Sequence, residues 1–297
     1  MAAPVLFLHA RAIAAGAGAG AASLGLVASE AMPTKANGAS TNANSADIVP
    51  GVVWVTGAGM GIGRAVAKRL AEDGWTVAIS ARTVEHLSSL SAECPDGRVI
   101  AFPLDVTDAA QTAATVDRIE RQLGRLDLAI LNAGTHLAMS ADDFSLAKVR
   151  TLVETNLMGT VNGLAPLISR FIERRAGHIA VVASLAGYRG LPTASAYGAT
   201  KAALINLCEA LKPELERHAV RLSLVNPGFV KTPLSDRNEF PMPFRIPVED
   251  AANAVVRGLR GRSFEIAFPW RLAFLMKLLR FLPYWLLFAV TRRMVRR

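Results

Sequence analysis

Short apolar runs alternate with amphipathic segments along most of the chain, beginning at Val52. Runs such as VVWVT and TVAIS have the length of strands, and the segments between them repeat apolar residues every three or four positions, as helices do. The pattern predicts strands that begin at Val52 and then cover residues 76–80, 99–104, 126–131, 178–183, 221–225 and 264–267. It predicts a first helix that ends at Gly74, helices at residues 83–92, 109–123, 196–218 and 248–261, and a long helical region at 146–176. Apolar strands that alternate with helices indicate an α/β fold, in which helices cover both faces of a parallel sheet.

Three parts of the chain differ in composition. Residues 1–50 are rich in Ala, Gly, Ser and Asn and have no sustained apolar period, which is typical of a disordered leader or of sequence upstream of a true start at Met32. A targeting segment is the other interpretation, although no basic residue precedes the apolar stretch Val5–Leu8, as a secretory signal would require. Residues 51–268 contain no repeat or linker and are predicted to form one domain, and residues 269–297 form a basic, amphipathic C-terminal tail.

The chain has 297 residues and a net charge of +9, and much of that charge lies near its C-terminal end. From Phe264 onward there are seven basic residues and one acidic residue, Glu265. A basic segment rich in Leu, Phe and Trp favours an anionic membrane surface over nucleic acid, for which the sequence has no recognition motif. The two cysteines, Cys94 and Cys208, and the five scattered histidines lack the spacing of metal ligands, so we expect reduced thiols and no metal.

The tail predicts a pair of interfacial helices. On a helical wheel, Ala273, Lys277 and Arg280 fall on one narrow arc and apolar residues cover most of the rest, until Pro283 interrupts the helix. The longest uncharged run, Phe281–Thr291, is much shorter than the roughly 20 residues that cross a bilayer. Two interpretations stay open, which are peripheral contact with a membrane and packing of the apolar face on the domain or on a second subunit.

A glycine-rich turn joins the first predicted strand to the first predicted helix. Gly57, Gly61 and Gly63 would let backbone N–H groups approach a pyrophosphate, and the N-terminus of the following helix favours its negative charge. Because the turn stands between a strand and a helix, it predicts a dinucleotide site. A tight loop without a ligand is the alternative.

Ser184, Tyr197 and Lys201 are side chains that suit proton transfer. Tyr197 and Lys201 are four residues apart and therefore share one face of a helix. A cation at that distance stabilises the phenolate and lowers the pKa of the phenol towards neutrality. Ser184 comes from a different element and could hydrogen-bond the same reacting oxygen. The alternative for Tyr197 is a buried aromatic residue whose hydroxyl is satisfied within the protein.

The TGAGMGIG run at residues 56–63, the Asn132-Ala133-Gly134 run and the Ser184, Tyr197 and Lys201 triplet together resemble the short-chain dehydrogenase/reductase family, from about Val52 to Phe268. The resemblance implies a single doubly wound Rossmann-like catalytic domain at residues 51–268, with seven parallel strands in the order 3-2-1-4-5-6-7. It also implies these cofactor-binding residues: Thr56, Gly57, Gly59, Gly61, Ile62, Gly63, Arg82, Asp105, Val106, Asn132, Ala133, Gly134, Tyr197, Lys201, Pro227, Gly228, Val230 and Thr232.

The end of the second predicted strand indicates the kind of cofactor. A carboxylate at this place binds the ribose 2′-OH of NAD, whereas an arginine suits the 2′-phosphate of NADP. Ala81 stands where NAD-specific relatives carry Asp, and Arg82 follows it, so we expect NADP(H) rather than NAD(H). Some NADP-dependent relatives have a basic residue just before the second glycine, whereas this chain has Met60 there. Asp105 matches the family aspartate on the adenine side, and a capping role near Asp108 is its alternative.

The resemblance further implies the catalytic residues Asn156, Ser184, Tyr197 and Lys201. Tyr197 would exchange a proton with the carbonyl oxygen while a hydride moves between the nicotinamide and the carbonyl carbon, and Ser184 would polarise that carbonyl. Lys201 would contact the ribose and lower the pKa of the phenol. Asn156 would hold a water that connects Lys201 to solvent, and residues 227–232 would meet the nicotinamide.

These observations favour an NADP(H)-dependent oxidoreductase that interconverts a ketone or aldehyde and an alcohol. Apolar residues at 233–247, where the family has its substrate lid, favour a lipophilic substrate, unless they pack onto the domain instead. The resemblance implies a homodimer or homotetramer, and we expect a cytoplasmic protein with peripheral contact at the inner face of a membrane. The alternative function is a non-catalytic NADP(H)-binding sensor or scaffold protein at a membrane surface.

Overall fold

Seven strands form one sheet within the part of the chain described by the computed structural model, which is residues 50–94, 96–237 and 242–295. They are β1 (Val52–Thr56), β2 (Thr76–Ser80), β3 (Val99–Ala101), β4 (Leu126–Leu131), β5 (His178–Val182), β6 (Arg221–Pro227) and β7 (Glu265–Phe268). Their order is β3-β2-β1-β4-β5-β6-β7, and every neighbouring pair is parallel. The prediction of a single, doubly wound, Rossmann-like α/β domain is therefore confirmed.

Helices connect the strands and cover both faces of the sheet. They are α1 (Gly61–Glu72), α2 (Val84–Glu93), α3 (Ala109–Leu123), α4 (Leu146–Leu152), α5 (Gly159–Glu173), α6 (Ser195–Glu216), α7 (Val248–Arg260), α8 (Trp270–Phe281) and α9 (Tyr284–Thr291). The predicted helical region at 146–176 is divided by a π-helical turn, Val153–Met158, between α4 and α5. The third strand ends at Ala101 and is shorter than predicted.

Two hydrophobic cores lie on opposite faces of the sheet. In β1, Trp54 faces one core while Val53 and Val55 face the other, because successive side chains of a strand point to opposite faces. All three are fully buried, and burial on both faces explains why the strand is a continuous apolar run. Trp54 Nε1 donates a hydrogen bond to Ser80 Oγ at 2.9 Å, which satisfies the polar atom of the indole.

The carboxyl ends of the parallel strands meet at one edge of the sheet. Predicted site residues follow four of them, with Gly57 after β1, Asn132 after β4, Ser184 shortly after β5 and Gly228 after β6. The strand order reverses between β1 and β4. In doubly wound sheets, the ligand crevice opens at such a reversal, so the topology brings the predicted residues to the expected place.

Helices α8 and α9 follow the last strand. Leu272 and Ala273 of α8 are buried against one of the two cores, and Lys277 forms an ion pair with Glu265 of β7. The narrow arc of Ala273, Lys277 and Arg280 on the helical wheel therefore borders the domain. Of the apolar residues that cover the rest of the α8 wheel, some are buried and others are exposed.

Several sequence predictions fall outside the described residues. Residues 1–49, which are nearly all of the predicted leader, and residues 238–241 of the predicted lid belong to this group. Within the three described ranges, no helix combines the length and apolar character needed to cross a membrane. The same ranges contain no group of three or more His, Cys, Asp or Glu side chains that could hold a metal ion.

Candidate active site

The glycine-rich turn between β1 and α1 lies against the end of β4. Gly57 and Gly61 have φ angles of +65° and +57°, a region that residues with side chains rarely adopt. A Cβ atom on Gly57 would lie 2.7 Å from the Cα atom of Ala133, and one on Gly63 would lie 2.5 Å from the carbonyl oxygen of Gly57. The turn therefore needs glycine at Gly57 for its conformation and at Gly63 for close approach.

Thr56, the last residue of β1, connects this turn to the end of β4. Its buried hydroxyl accepts hydrogen bonds from the N–H groups of Asn132 at 2.9 Å and Ala133 at 3.1 Å. The Asn132 side chain donates in return to the carbonyl oxygens of Thr56 at 3.0 Å and Gly57 at 3.2 Å. These bonds join the two strands on either side of the point where the strand order reverses, although Thr56 and Asn132 are 76 residues apart.

The N-terminus of α1 opens at the same edge of the sheet. Its N-cap residue, Met60, makes no side-chain hydrogen bond to the helix, and the first turn contains no acidic residue. The first N–H groups and the positive end of the helix dipole are thus not neutralised by such side chains. Ile62 packs towards one core, and the Thr232 methyl group lies 3.3 Å from where a Cβ on Gly61 would be. Glycines that allow close approach and an uncapped helix N-terminus fit the phosphates of a dinucleotide.

The end of β2 lies beside the turn. The Ala81 Cβ atom is 3.2 Å from the place that a Cβ on Gly59 would occupy, and Ala58 donates its N–H to the carbonyl oxygen of Ser80 at 3.0 Å. Arg82 follows and is exposed. The structure therefore places Arg82 one residue beyond the contact between β2 and the glycine-rich turn.

Asp105 and Val106 lie in the loop after β3. Asp105 Oδ1 accepts hydrogen bonds from the Thr107 N–H at 3.0 Å and the Thr107 hydroxyl at 2.8 Å. The carboxylate that caps α3 is Asp108, so the capping alternative for Asp105 is wrong. Val106 is buried, and its carbonyl oxygen accepts from Asn162 Nδ2 at 2.9 Å, which fixes this loop to α5.

Ser184, Tyr197 and Lys201 come together where β5 ends and α6 begins. The Ser184 hydroxyl donates to the carbonyl oxygen of Pro227 at 3.3 Å, across to the end of β6. Lys201 Nζ donates to the carbonyl oxygen of Val182 at 2.9 Å and lies 5.9 Å from the centre of the Tyr197 ring. Tyr197 and Lys201 are one turn apart on α6, as their spacing predicts.

Burial favours the uncharged forms of both Tyr197 and Lys201. It raises the pKa of Tyr197 above the ordinary value of 10.0, against the effect of a hydrogen bond with Ser184. It lowers the pKa of Lys201 from 10.5 to about 8. At neutral pH, the pair therefore offers a protonated phenol beside a lysine that is largely charged. The pKa of Tyr197 is thus raised and not lowered, so the expectation that Lys201 brings it towards neutrality is wrong for the chain itself.

Asn156 is fully buried in the π-helical turn between α4 and α5, a type of turn that is frequent at functional sites. Its Oδ1 accepts from the Thr135 N–H at 2.7 Å, and its Nδ2 donates to the Thr135 carbonyl oxygen at 3.0 Å and the Thr200 hydroxyl at 3.2 Å. A Cβ on Gly134 would lie 3.2 Å from Asn156 Oδ1 and 3.5 Å from Lys201 Nζ. Glycine at position 134 therefore allows Asn156 and Lys201 to border the same small space.

Residues 227–232 lie between β6 and the C-terminal helices. Gly228 donates its N–H to the carbonyl oxygen of Phe268 at 2.7 Å, and a Cβ on Gly228 would lie 2.7 Å from the Leu272 side chain of α8. Val230 forms a parallel bridge with Ile246. This segment is thus held on one side by α8 and on the other by the residues that precede α7.

Sequence reasoning missed His136, whose ring contacts the Tyr197 ring. The two rings meet edge to face, with centroids 4.7 Å apart and an interplanar angle of 86°. Its place in the sequence could have indicated this contact, because His136 comes two residues after Gly134, in the loop that leaves the same edge of the sheet. The histidine places polar ring nitrogens close to the phenol.

A polar network beneath Ser184 was also missed. The Tyr188 hydroxyl donates to Glu265, which also accepts from Asn226 Nδ2 at 2.8 Å and pairs with Lys277. Burial raises the pKa of Tyr188 above its ordinary value. Burial also acts to raise the pKa of Glu265, but hydrogen bonds from Lys277, Tyr188 and Asn226 outweigh it and hold that pKa below its ordinary value. The carboxylate therefore joins the segment after Ser184 to β6, β7 and α8.

Arg189 forms a second connection to the C-terminal helices. Its Nη2 donates to the carbonyl oxygen of Leu282 at 3.1 Å, and its guanidinium carbon lies 4.8 Å from the centre of the Tyr284 ring. Leu282 lies between α8 and α9, whereas Arg189 lies between Ser184 and Tyr197. The segment that carries the predicted catalytic residues thus holds the junction of the two helices.

Known proteins that are similar to this chain include oxidoreductases. Residues 51–240 match the family model described as short chain dehydrogenase. An uncharacterized oxidoreductase of Myxococcus xanthus is 36% identical over 242 residues, which cover 81% of this chain and 96% of that protein. Ketoacyl reductase HetN of Nostoc is 31% identical over 220 residues, which cover 72% of this chain and 77% of that protein. A solved structure of a variant of actinorhodin polyketide ketoreductase with NADPH has a TM-score of 0.68 and 26% identity, covering 75% of this chain and 97% of that one.

Replacing Thr56 tests the connection between β1 and β4. We expect Thr56→Val to lower the free energy of unfolding by about 1–3 kcal/mol, because it leaves the N–H groups of Asn132 and Ala133 without their acceptor. Thr56→Ser keeps the hydroxyl and removes one methyl group, so its loss should be about 1 kcal/mol or less. Urea unfolding followed by circular dichroism measures both values. Equal losses in the two variants would show that the hydroxyl contributes nothing.

Proposed function

The chain belongs to the short-chain dehydrogenase family and is an NAD(P)-dependent oxidoreductase, and we propose that it uses NADP(H) to interconvert a ketone or aldehyde and an alcohol. The observation that carries the proposal is the arrangement of Tyr197 and Lys201 on one face of α6, with Ser184 beside them. Gly134 lies close to Lys201, and Ala133, the residue before it, packs against Gly57 of the glycine-rich turn. A proton-transfer group thus lies next to a fold element that suits a dinucleotide.

The residues around the turn fit a nicotinamide dinucleotide. The turn at residues 56–63 and the N-terminus of α1 would hold the pyrophosphate, Asp105 and Val106 would border the adenine, and residues 132–134 and 227–232 would border the nicotinamide half. When bound, the cofactor supplies or accepts the hydride that changes the oxidation state of the carbonyl carbon.

Tyr197 is the proposed general acid and base. Burial keeps its pKa above 10.0, so the phenol carries its proton at neutral pH and can donate it to the carbonyl oxygen during reduction. Lys201, which is charged below its pKa of about 8, would offset the negative charge that develops on the phenolate. Ser184 would turn its hydroxyl from the carbonyl oxygen of Pro227 to that of the substrate.

Asn156 has a positioning role in this proposal. Hydrogen bonds to Thr135 and Thr200 hold its amide on the side of Gly134 that Lys201 also borders. A water held there would link Lys201 to solvent and allow the proton of Tyr197 to be replaced. The buried amide thus supports proton supply without taking part in the bond changes.

Two observations support a lipophilic carbonyl substrate. One relative is named a ketoacyl reductase and one similar structure is a polyketide ketoreductase, and both names describe reduction of a ketone. Within the predicted lid, the described part contains Met242, Pro243 and Phe244, and Phe244 is 46% exposed. An exposed aromatic side chain in this segment can cover an apolar substrate.

The proposal also includes the organisation of the chain and its place in the cell. Residues 51–268 would be the catalytic domain and residues 269–297 a membrane-contacting tail, with the protein in the cytoplasm at the inner face of a membrane. Subunits would pair through α5 and α6 to form a homodimer or homotetramer. A leader at residues 1–50 would lie outside the catalytic domain.

Replacing Tyr197 by Phe tests the catalytic assignment. We expect the turnover rate for NADPH-dependent reduction of a water-soluble ketone to fall by about 100-fold or more, because the proton donor is lost. Binding of NADPH, measured by fluorescence titration, should fall much less. Tyr284→Phe is the matched control, since Tyr284 is 66% exposed and lies on α9. Reduction by Tyr197→Phe at the rate of this control would refute the assignment.

The pKa of Tyr197 predicts different pH dependences for the two directions of the reaction. Since burial raises this pKa, the acid form predominates at neutral pH and the base form is scarce. Ketone reduction should change little between about pH 6 and 7, where Lys201 keeps its charge, whereas alcohol oxidation should rise by up to about tenfold per pH unit. Single-turnover rates in both directions measure this, and parallel pH profiles would contradict it.

Replacing Arg82 by Ala tests the choice of cofactor. We expect kcat/KM for NADPH to fall by about ten- to a hundredfold, because a charge-assisted hydrogen bond to the 2′-phosphate is lost, and kcat/KM for NADH to change little. The control is Arg121→Ala, because Arg121 is also exposed but lies on α3, away from the end of β2. If Arg82→Ala weakened the use of both cofactors equally, Arg82 would not recognise the 2′-phosphate.

A further inference from the structure

Helices α8 and α9 present large apolar side chains to solvent. Trp270, Phe274, Leu278 and Phe281 follow one face of α8, and Tyr284 and Trp285 begin α9; these six residues form the C-terminal apolar face. Phe281 is 83% exposed, Trp285 73% and Trp270 71%. The opposite side of α8 is already buried through Leu272, Ala273 and Met276. A helix on the surface of a globular domain needs one apolar side only, so a second one marks an interaction surface.

Basic residues surround the C-terminal apolar face. Arg271 and Arg280 of α8 are exposed, as are Arg292 and Arg293 directly after α9, while the charge of Lys277 is paired with Glu265. No acidic residue follows Glu265 in the sequence. The partner of this face must therefore tolerate or attract a concentration of positive charge.

An anionic bilayer fits this face better than a second copy of the chain. Contact between two copies about a two-fold axis would bring like surfaces together, so that the arginines around the face would repel each other. Anionic lipid headgroups instead complement the arginines, and Trp and Tyr side chains favour the boundary between headgroups and acyl chains. Helices α8 and α9, with 12 and 8 residues, are too short to span a bilayer, so contact with it would place them in that boundary.

The face adjoins the candidate active site. Leu272, on the buried side of α8, packs against Gly228, which follows the Pro227 carbonyl that accepts the hydrogen bond from Ser184. Arg189, between Ser184 and Tyr197, binds the carbonyl oxygen between the two helices. A bilayer in contact with α8 and α9 would therefore lie beside the segment that carries Tyr197.

We propose that the C-terminal apolar face docks on an anionic bilayer, with α8 and α9 in the headgroup layer, and that a lipophilic carbonyl substrate passes from the bilayer to the site beside Tyr197. The docking stands on the exposed surface and its charge alone. The passage of substrate rests on the proposed oxidoreductase function.

Vesicle flotation of the full chain tests the docking. We expect binding to vesicles that contain phosphatidylcholine and about 30% phosphatidylglycerol, weaker binding to pure phosphatidylcholine, and a decrease with salt. Trp270→Ser with Phe281→Ser, and separately Arg292→Gln with Arg293→Gln, should each weaken binding by about tenfold or more. The control is Phe144→Ser with Leu146→Ser, because these side chains are 66% and 63% exposed but lie before and at the start of α4.

Other outcomes of this experiment would overturn the proposal. Undiminished vesicle binding by both double variants would show that the face is not the docking site. Sedimentation velocity tests the alternative that a second copy of the chain covers the face. If the wild-type chain did not bind vesicles and Trp270→Ser with Phe281→Ser lost its oligomers, the face would be assigned to a second copy. Equal losses in the Phe144 and Leu146 control would indicate non-specific adsorption and would equally refute it.

A kinetic comparison separates the docking from the proposed function. For a long-chain ketone presented in the anionic vesicles, the Trp270 and Phe281 double variant should raise the apparent KM by about tenfold, in proportion to its weaker binding. For a water-soluble ketone without vesicles, the same variant should match the wild type. No reduction of either ketone, together with the expected flotation, would refute the proposed function and leave the docking intact. An unchanged KM in vesicles would refute the passage of substrate.

Discussion

One buried hydroxyl, that of Thr56, holds the edge of the sheet on which the candidate site depends. In a doubly wound sheet, β1 and β4 are neighbours in space but not in sequence, and their crossovers leave in opposite directions. The crevice that results would separate the glycine-rich turn from Gly134 unless something joined the strand ends. Thr56 and Asn132 do so with reciprocal hydrogen bonds. Because Gly134 also adjoins Lys201, the position of the proposed catalytic group relative to the turn depends on this contact.

Burial explains why the proposed mechanism needs Tyr197 and Lys201 together. Each loses hydration, so each resists ionisation, and the pKa of the phenol rises while that of the ammonium falls to about 8. In the proposed mechanism, proton transfer from Tyr197 creates negative charge one helical turn from the Lys201 ammonium, where little water is present to stabilise either charge. Burial penalises either charge alone, and the attraction between the two charges would offset part of that cost in the state that follows proton donation.

The sequence predicted what depends on local pattern. Strands buried on both faces and helices with an apolar period could be located, and motif residues such as Gly57 and Tyr197 stand at the ends of those elements. The structure confirmed the order of the strands. Contacts between distant residues could not be predicted, because no period or motif carries them; Arg189 and its partner Leu282 are 93 residues apart. The sequence also could not show which apolar residues of α8 are buried and which are exposed. A helical wheel shows which arc is apolar but not which part of that arc the domain covers.

The exposure of one apolar side of α8 and the burial of the other decide how the C-terminal helices are understood. Had α8 been apolar only where Leu272 and Met276 pack, it would be a closing helix that covers the edge of the sheet. Its other side is apolar as well, and exposing Trp270 and Phe281 to water is unfavourable for the isolated chain. The ion pair of Lys277 with Glu265 and the bond from Arg189 to Leu282 fix the orientation of the helix, so that it cannot rotate its exposed side inward without breaking both. The exposed side is therefore held outward by contacts that reach the segment between Ser184 and Tyr197, and a surface held in this way is available to a partner without rearrangement of the candidate site.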